Sequence, residues 1–172
     1  MKIIFLDIDG VLNNEKNTIK TFNKIEKLRF HDIIQNDICI FDKKSLEYLG
    51  KIVDRYEDDV LVVISSTWRL DQRKVDKIIE KISENIKSWS VRFSITDRDE
   101  NMIRGNEIEK YLKSHNLLKE DYIIIDDDTE DIIGEKYKDN MDFKSHFVWC
   151  DRKVGFKRKE YKRAIKLLKG RK

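Results

Sequence analysis

The 172-residue sequence predicts an α/β domain, a doubly wound three-layer sandwich on a five-stranded, mainly parallel sheet. Three observations predict it. Five short apolar runs rich in β-branched residues, at 3–6, 60–64, 91–95, 122–125 and 146–150, have the length and composition of strands. Apolar residues at helical spacing fill the stretches between them. Alternation of the two implies right-handed βαβ crossovers, with helices on both faces of the sheet.

The first, second and fourth runs are almost continuously apolar, as strands buried on both faces are. In the third, Val91, Phe93 and Ile95 alternate with polar residues, which sets it nearer an edge. Residues 13–40 read as a short flap inserted after the first strand. Within it Ile19, Phe22, Ile25 and Leu28 are spaced for a short helix, and 38–41 suits a short extended piece. Asp42 is a good N-cap for a helix carrying Leu46, Leu49, Ile52, Val53 and Tyr56. Asp71 opens a second, with Val75, Ile78, Ile79, Ile82 and Ile86. A third follows Gly105, with Ile108, Tyr111 and Leu112. A basic C-terminal helix at about 156–169 carries Tyr161, Ala164, Ile165 and Leu168, and Gly170 is placed to cap it. No repeat or low-complexity linker interrupts the pattern, so residues 1–172 read as a single domain.

Charged residues make up 40% of the chain and there is no proline, which describes a highly charged globular protein. The net charge of +3 hides an asymmetry: residues 152–172 hold eleven Lys or Arg against Glu160, a formal +10, which leaves −7 on the rest. An acidic body with a basic end suits a cation held in the core and an anionic partner outside; a solvated helix face gives the same composition. Cys39 and Cys150 lack metal-site spacing and read as buried thiols in a reducing compartment. The first residues form a strand rather than a signal peptide, and no apolar run approaches membrane-spanning length. These features point to no membrane and to the cytoplasm, including that of an infected host.

Functional groups in open α/β sheets gather at the carboxyl ends of the strands. Four features fall there. Asp7 and Asp9 end the first strand, and Ser65, Ser66 and Thr67 end the second. Arg104 and Gly105 open the helix before the fourth strand, and Asp126, Asp127 and Asp128 end that strand. Clustered carboxylates repel, and their charged forms are tolerated with a cation among them. An all-oxygen ligand set with few protein groups favours Mg²⁺, which pairs with substrate phosphate. A hydroxyl and a guanidinium nearby would hold phosphoryl oxygens as charge builds. Taken singly, each piece has a bland reading: Asp9-Gly10 as a turn, Asp126–Asp128 and Ser65–Thr67 as helix caps. An EF-hand is excluded by the missing acid before the glycine and the missing terminal Glu. All four in this order at one sheet edge are hard to obtain by chance.

These residues resemble the four motifs of the haloacid dehalogenase (HAD) superfamily of phosphatases and phosphotransferases, with its Rossmann-like core. Asp7-Ile8-Asp9-Gly10-Val11 is similar to the first motif, Val62-Val63-Ile64-Ser65 to the second, and Ile123-Ile124-Ile125-Asp126-Asp127 to the fourth. The third motif normally supplies a lysine; its place is held by Arg104, with Lys110 and Lys113 as alternatives on the same helix. Ser65-Ser66-Thr67-Trp68-Arg69, Arg104-Gly105-Asn106-Glu107-Ile108 and Asp126-Asp127-Asp128 resemble a smaller subgroup, the phosphatase-like domains of multidomain RNA-repair proteins and phages. An arginine before the glycine is usual in it.

The resemblance implies a phosphomonoester hydrolase working through a phosphoaspartate. Asp7 would be the nucleophile and Asp9 the acid and base, with Mg²⁺ on Asp7, the Asp9 carbonyl, Asp126 and Asp127. Ser65, Ser66 and Arg104 would bind phosphate. It also implies no full cap domain, because the gap from Ser65 to Arg104 holds only one helix and one strand. Such an open site suits DNA or RNA ends, with nucleotides close behind. Arg69 is a candidate substrate contact or a bridge to an acid. Arg152, Lys153 and Lys157 follow the fifth strand and are candidate contacts to a polyanion. Trp68, Trp149 and Phe156 are placed either to stack bases or to pack. A receiver-type signalling domain fits poorly, because its phosphoacceptor follows strand three. A catalytically silent relative that binds nucleic acid or a host protein, and a phosphotransferase, stay open as alternatives.

Overall fold

A computed structural model describes residues 1–25, 41–88, 91–98, 103–135, 137 and 141–169. In chain order the elements are β1 (Lys2–Leu6), α1 (Glu15–Ile25), α2 (Lys43–Tyr56), β2 (Val60–Ile64), α3 (Gln72–Ser83), β3 (Arg92–Ile95), α4 (Arg104–Ser114), β4 (Asp121–Asp126), α5 (Thr129–Ile133), β5 (Phe147–Trp149) and α6 (Arg158–Leu168). Leu28, Cys39, Gly170 and the piece expected at 38–40 lie outside the described residues.

The five strands form one sheet in the order β3-β2-β1-β4-β5, and every pair is parallel, where a mainly parallel sheet was expected. β3 is an edge strand, as its alternating pattern predicts. In β1 the side chains divide cleanly between the two faces. Ile4 and Leu6 join Val62, Ile64, Ile123 and Ile125 under α2, α3 and α6. Ile3 and Phe5 join Val63, Tyr122 and Ile124 against α4 and the Tyr137–Phe143 stack. A strand apolar on both faces therefore sits at the centre, which is why its sequence shows no alternation.

Local chemistry sets the helix ends. Asp42 accepts the backbone N–H of Ser45 at 3.0 Å, so the expected cap is formed, and Asp71 caps the next helix by accepting that of Arg73 at 3.0 Å. Gly105, in the first turn of α4, allows a close approach: a Cβ there would stand 2.5 Å from the Tyr137 ring and 3.0 Å from the Asp131 carbonyl. The tyrosine hydroxyl in turn donates to Glu109 at 2.6 Å, which locks α4 to the chain beyond α5.

Register then decides what meets at the carboxyl edge. Leu6 lies between Ile64 and Ile125, the Asp7 N–H donates to Ile125 O at 3.0 Å, and the Ser65 N–H donates to Leu6 O at 3.0 Å. Asp7, Ser65 and Asp126 thus leave adjacent strands at one level. In this order β1 and β4 flank the point where the connections diverge, the place where open α/β sheets bind ligands.

Gly105→Ala is expected to destabilise the fold by about 1–3 kcal/mol through overpacking against Tyr137. Urea unfolding measures this, and a midpoint unchanged from the parent would contradict the close approach.

Candidate active site

Asp7 and Asp126 are 2% and 0% exposed, an expensive position for two carboxylates. Arg104 makes it tolerable. Its Nη1 lies 2.5 Å from Asp126 Oδ2 and 3.3 Å from Asp7 Oδ1, one guanidinium nitrogen shared by two strand ends. Asp126 Oδ1 also accepts the Asp128 N–H at 2.8 Å. Burial pushes the Asp126 carboxyl up to about 6, against the pull of Arg104. Burial, and then the neighbouring Asp126 charge, push Asp7 well above the ordinary range, with Arg104 again opposing. Burial also opposes the charge on Arg104, but Asp7 and Asp126 outweigh it and hold its pKa above the usual value.

Asp127 completes the group. Carboxylate oxygens of Asp7, Asp126 and Asp127 all lie within 4.8 Å of one another, close enough to share one cation. Asp127 reaches them across the turn after β1, and Gly10 makes room for it. With φ +75°, Gly10 sits in the left-handed region, and a Cβ there would stand 2.2 Å from Asp127 Oδ2. Asp128 caps α5, accepting from Glu130 N at 2.9 Å and Asp131 N at 3.2 Å. The capping reading of the triple acid therefore holds for Asp128 alone.

The carboxylate of Asp9 stands apart from these three. It is exposed, with Oδ1 accepting from Asn13 Nδ2 at 2.7 Å and Oδ2 from the Trp68 indole at 2.8 Å. Two donors hold one carboxylate ready at the mouth of the site. Ser65 is fully buried, and its hydroxyl has no hydrogen-bond partner among the described residues. Ser66 Oγ accepts the Trp68 N–H at 3.5 Å, capping the turn that follows, so the capping reading falls on Ser66 rather than Ser65.

The remaining candidates have partners of their own. Of the two readings of Arg69, the bridge to an acid is the one formed: its guanidinium is buried, donates to Thr96 O at 3.0 Å, Ser65 O at 3.1 Å and Ser66 O at 2.8 Å, and pairs with buried Glu107. Lys157 is turned to the fold, with Nζ 2.6 Å from Asp42 Oδ1 and 3.1 Å from Ser45 Oγ, so its charge secures the cap of α2. Phe156 lies in the core with no exposed surface, which removes it as a stacking platform. Lys113 pairs with Glu109 and Lys110 is exposed, so Arg104 alone of the three cations stands among the carboxylates.

Of the other basic candidates, Arg152 is 66% exposed and donates through Nε to Asp127 Oδ2 at 2.7 Å. The loop after β5 brings it there, tied to the chain after β1 by Glu15 N donating to Arg152 O at 3.2 Å and Phe156 N to Val11 O at 2.9 Å. Lys153 is exposed, its carbonyl accepting from Lys16 N at 3.3 Å. Nothing in the sequence alone marks Trp68 as a partner of Asp9 or Glu107 as the partner of Arg69. Asn13, only four residues beyond Asp9, was the readable signal.

A family model described as the HAD domain in Swiss Army Knife RNA repair proteins matches residues 3–161. No curated protein and no solved structure matches.

Two outcomes follow. Arg69→Met, which removes the buried cation that faces Glu107, is expected to cost about 3–5 kcal/mol in denaturant unfolding. Asp126 takes up its proton in the folded state near pH 6, above the ordinary value of 3.8. Without metal, stability should therefore rise by on the order of 1–2 kcal/mol as the pH falls from 7.5 to about 5. Asp126→Asn removes that part of the slope; an unchanged slope would show that Asp126 is not its source.

Proposed function

This chain belongs to the family of HAD domains in Swiss Army Knife RNA repair proteins, and we propose that it is a Mg²⁺-dependent phosphomonoester hydrolase acting through a phosphoaspartate on nucleic-acid ends. One observation supports the reading: three carboxylates converge within reach of one cation, beside the partly buried Arg104 and a buried serine hydroxyl that lacks a hydrogen-bond partner among the described residues. An unpaired buried hydroxyl costs free energy unless a ligand supplies its hydrogen bond, and a phosphoryl oxygen would do so.

The donor set fits Mg²⁺, since all three ligands are hard oxygens on adjacent strand ends. Asp7, Asp126 and Asp127 would hold it, with the Asp9 carbonyl at the end of the same turn, and bound there it would neutralise phosphoryl oxygens. An Asp7 carboxylate oxygen attacks phosphorus, and the bond from phosphorus to the ester oxygen breaks. Asp9 gives that oxygen its proton. The leaving group departs, and Asp9 takes a proton from water, which attacks the same phosphorus. Breakage of the phosphorus bond to Asp7 then releases phosphate and restores the carboxylate.

Arg104 holds the Asp7 oxygen in place and, with Ser65 and Ser66, grips the phosphoryl group. Asn13 and Trp68 keep the Asp9 carboxylate aimed outward at the leaving group. Exposure of Asp9 and Arg152 leaves the mouth open to a bulky substrate. Support for nucleic-acid ends comes from that open mouth, the basic C-terminal segment and the family's occurrence in RNA repair proteins. Among the described residues no helix is long and apolar enough to cross a membrane.

With Mg²⁺, p-nitrophenyl phosphate should be hydrolysed, Asp7→Asn should abolish turnover, and Asp9→Asn should lower kcat by about 10²–10⁴-fold. An inert parent on this ester and on 3′- and 5′-phosphorylated oligonucleotides would leave a silent binding domain as the reading. Rates on oligonucleotides that exceed those on mononucleotides and fade with salt support polynucleotide ends.

A further inference from the structure

Three concavities join through shared residues, and the middle one is lined by Asp127 of the carboxylate cluster. The first is lined by Asp9, Asn13 and Arg152, and the second by Arg152, Asp127 and Trp149. The third runs from Trp149 between β5 and α6, past Phe147, Lys159, Lys162 and Lys166. It holds five cations, the other two being Lys144 and Arg163, against the single carboxylate of Glu160. That carboxylate accepts the Lys157 N–H at 3.1 Å within the first turn of α6.

Arg163 donates Nε to Phe147 O at 2.8 Å and covers the edge of the sheet. Lys144, Lys159, Lys162 and Lys166 are exposed, without a carboxylate partner among the described residues. Lys159, Lys162 and Lys166 recur at helical spacing on one face of α6, a run of about 10 Å.

Trp149 stands where this groove meets the cluster. It is 47% exposed, and its indole N–H donates to Asp127 O at 3.1 Å. A solvated helix face accounts for the lysines but not for a large exposed ring tethered beside them to the backbone of Asp127 in the carboxylate cluster. Cations along a groove with an aromatic platform at one end match a single strand: phosphates pair with the lysines and an unstacked base lies on the ring. An acidic peptide would satisfy the lysines and leave Trp149 unused.

We propose that the groove between β5 and α6 binds a single nucleic-acid strand and leads its phosphorylated end past Trp149 to Asp7. This rests on the phosphatase reading above and identifies how its substrate is held.

Binding is measured on full-length Asp7→Asn protein with Mg²⁺, by fluorescence anisotropy of 3′- and 5′-phosphorylated ten-nucleotide RNA at two salt concentrations. Lys162→Glu with Lys166→Glu should weaken binding at least about tenfold and flatten the salt slope by about 0.7 for each lysine–phosphate pair removed. Trp149→Ala should cost about tenfold, while Trp149→Phe, which keeps a ring and loses the tether to Asp127, should retain most of the affinity. Comparable binding of the DNA strand also supports the groove, since stacking and counterion release need no 2′-hydroxyl.

With Asp7 intact, the double reversal should lower kcat/KM for the oligonucleotide at least about tenfold more than for p-nitrophenyl phosphate. Binding within twofold of the parent after the reversal overturns the proposal. So does an equal loss on both substrates, or displacement of RNA by polyglutamate at equal charge. An enzyme inert on every phosphomonoester would count against the phosphatase reading alone, because the binding measurement still decides the groove.

Discussion

Two carboxylates leave neighbouring strands at the same level and are buried beside each other, and the molecule has to supply positive charge at that point. Arg104 is its own answer. Reaching Asp7 and Asp126 together requires that α4 begin beside the ends of β1 and β4, and this in turn requires the close packing that Gly105 allows against Tyr137. The opposing group of contacts on the other side of the cluster, Gly10 beneath Asp127, has the same logic. Both glycines stand where backbone and side chain must approach more closely than a Cβ permits. Sheet register, helix placement and glycine position are thus separate consequences of one electrostatic problem.

A second network holds the geometry from behind. Arg69 binds the carbonyls of Ser65, Ser66 and Thr96 and pairs with Glu107, linking the ends of β2 and β3 to the first turn of α4. Glu107 lies three residues beyond Arg104, so the same helical turn that offers a cation to the carboxylates offers an anion to the serine loop. Two charges of opposite sign on one turn, Glu107 buried and Arg104 partly so, fix its rotation. Such pairs contribute little net stability compared with apolar packing, and their value here is positional.

Much of this was legible because the fold rests on short-range rules. Residues 60–64 read as a strand and form β2 without adjustment, and Asp42 and Asp71 cap the helices they precede. Convergence of Asp7, Ser65, Arg104 and Asp126 was legible because parallel strands deliver their carboxyl ends to one edge. Other features depended on how loops turn. Arg69 and Glu107 are 38 residues apart and meet only once β3 and α4 are placed. The anchoring of Lys157 at Asp42 spans 115 residues, and the basic segment gave no sign of which cation turns inward. Phe156 reads more as packing than as a platform, and the loop hydrogen bond to Val11 that draws it into the core agrees.

The Ser65 hydroxyl, fully buried and without a hydrogen-bond partner among the described residues, has a consequence for how the protein behaves without substrate. An unfilled hydrogen-bonding position and crowded acids place unfavourable energy at one spot, which is also where a ligand would arrive. Occupancy and folding are then thermodynamically linked, because whatever fills the spot binds the folded chain and not the unfolded one. Inorganic phosphate and a divalent cation would therefore act as conformational stabilisers at concentrations above their dissociation constants. The resting molecule would owe part of its persistence to the small ions around it.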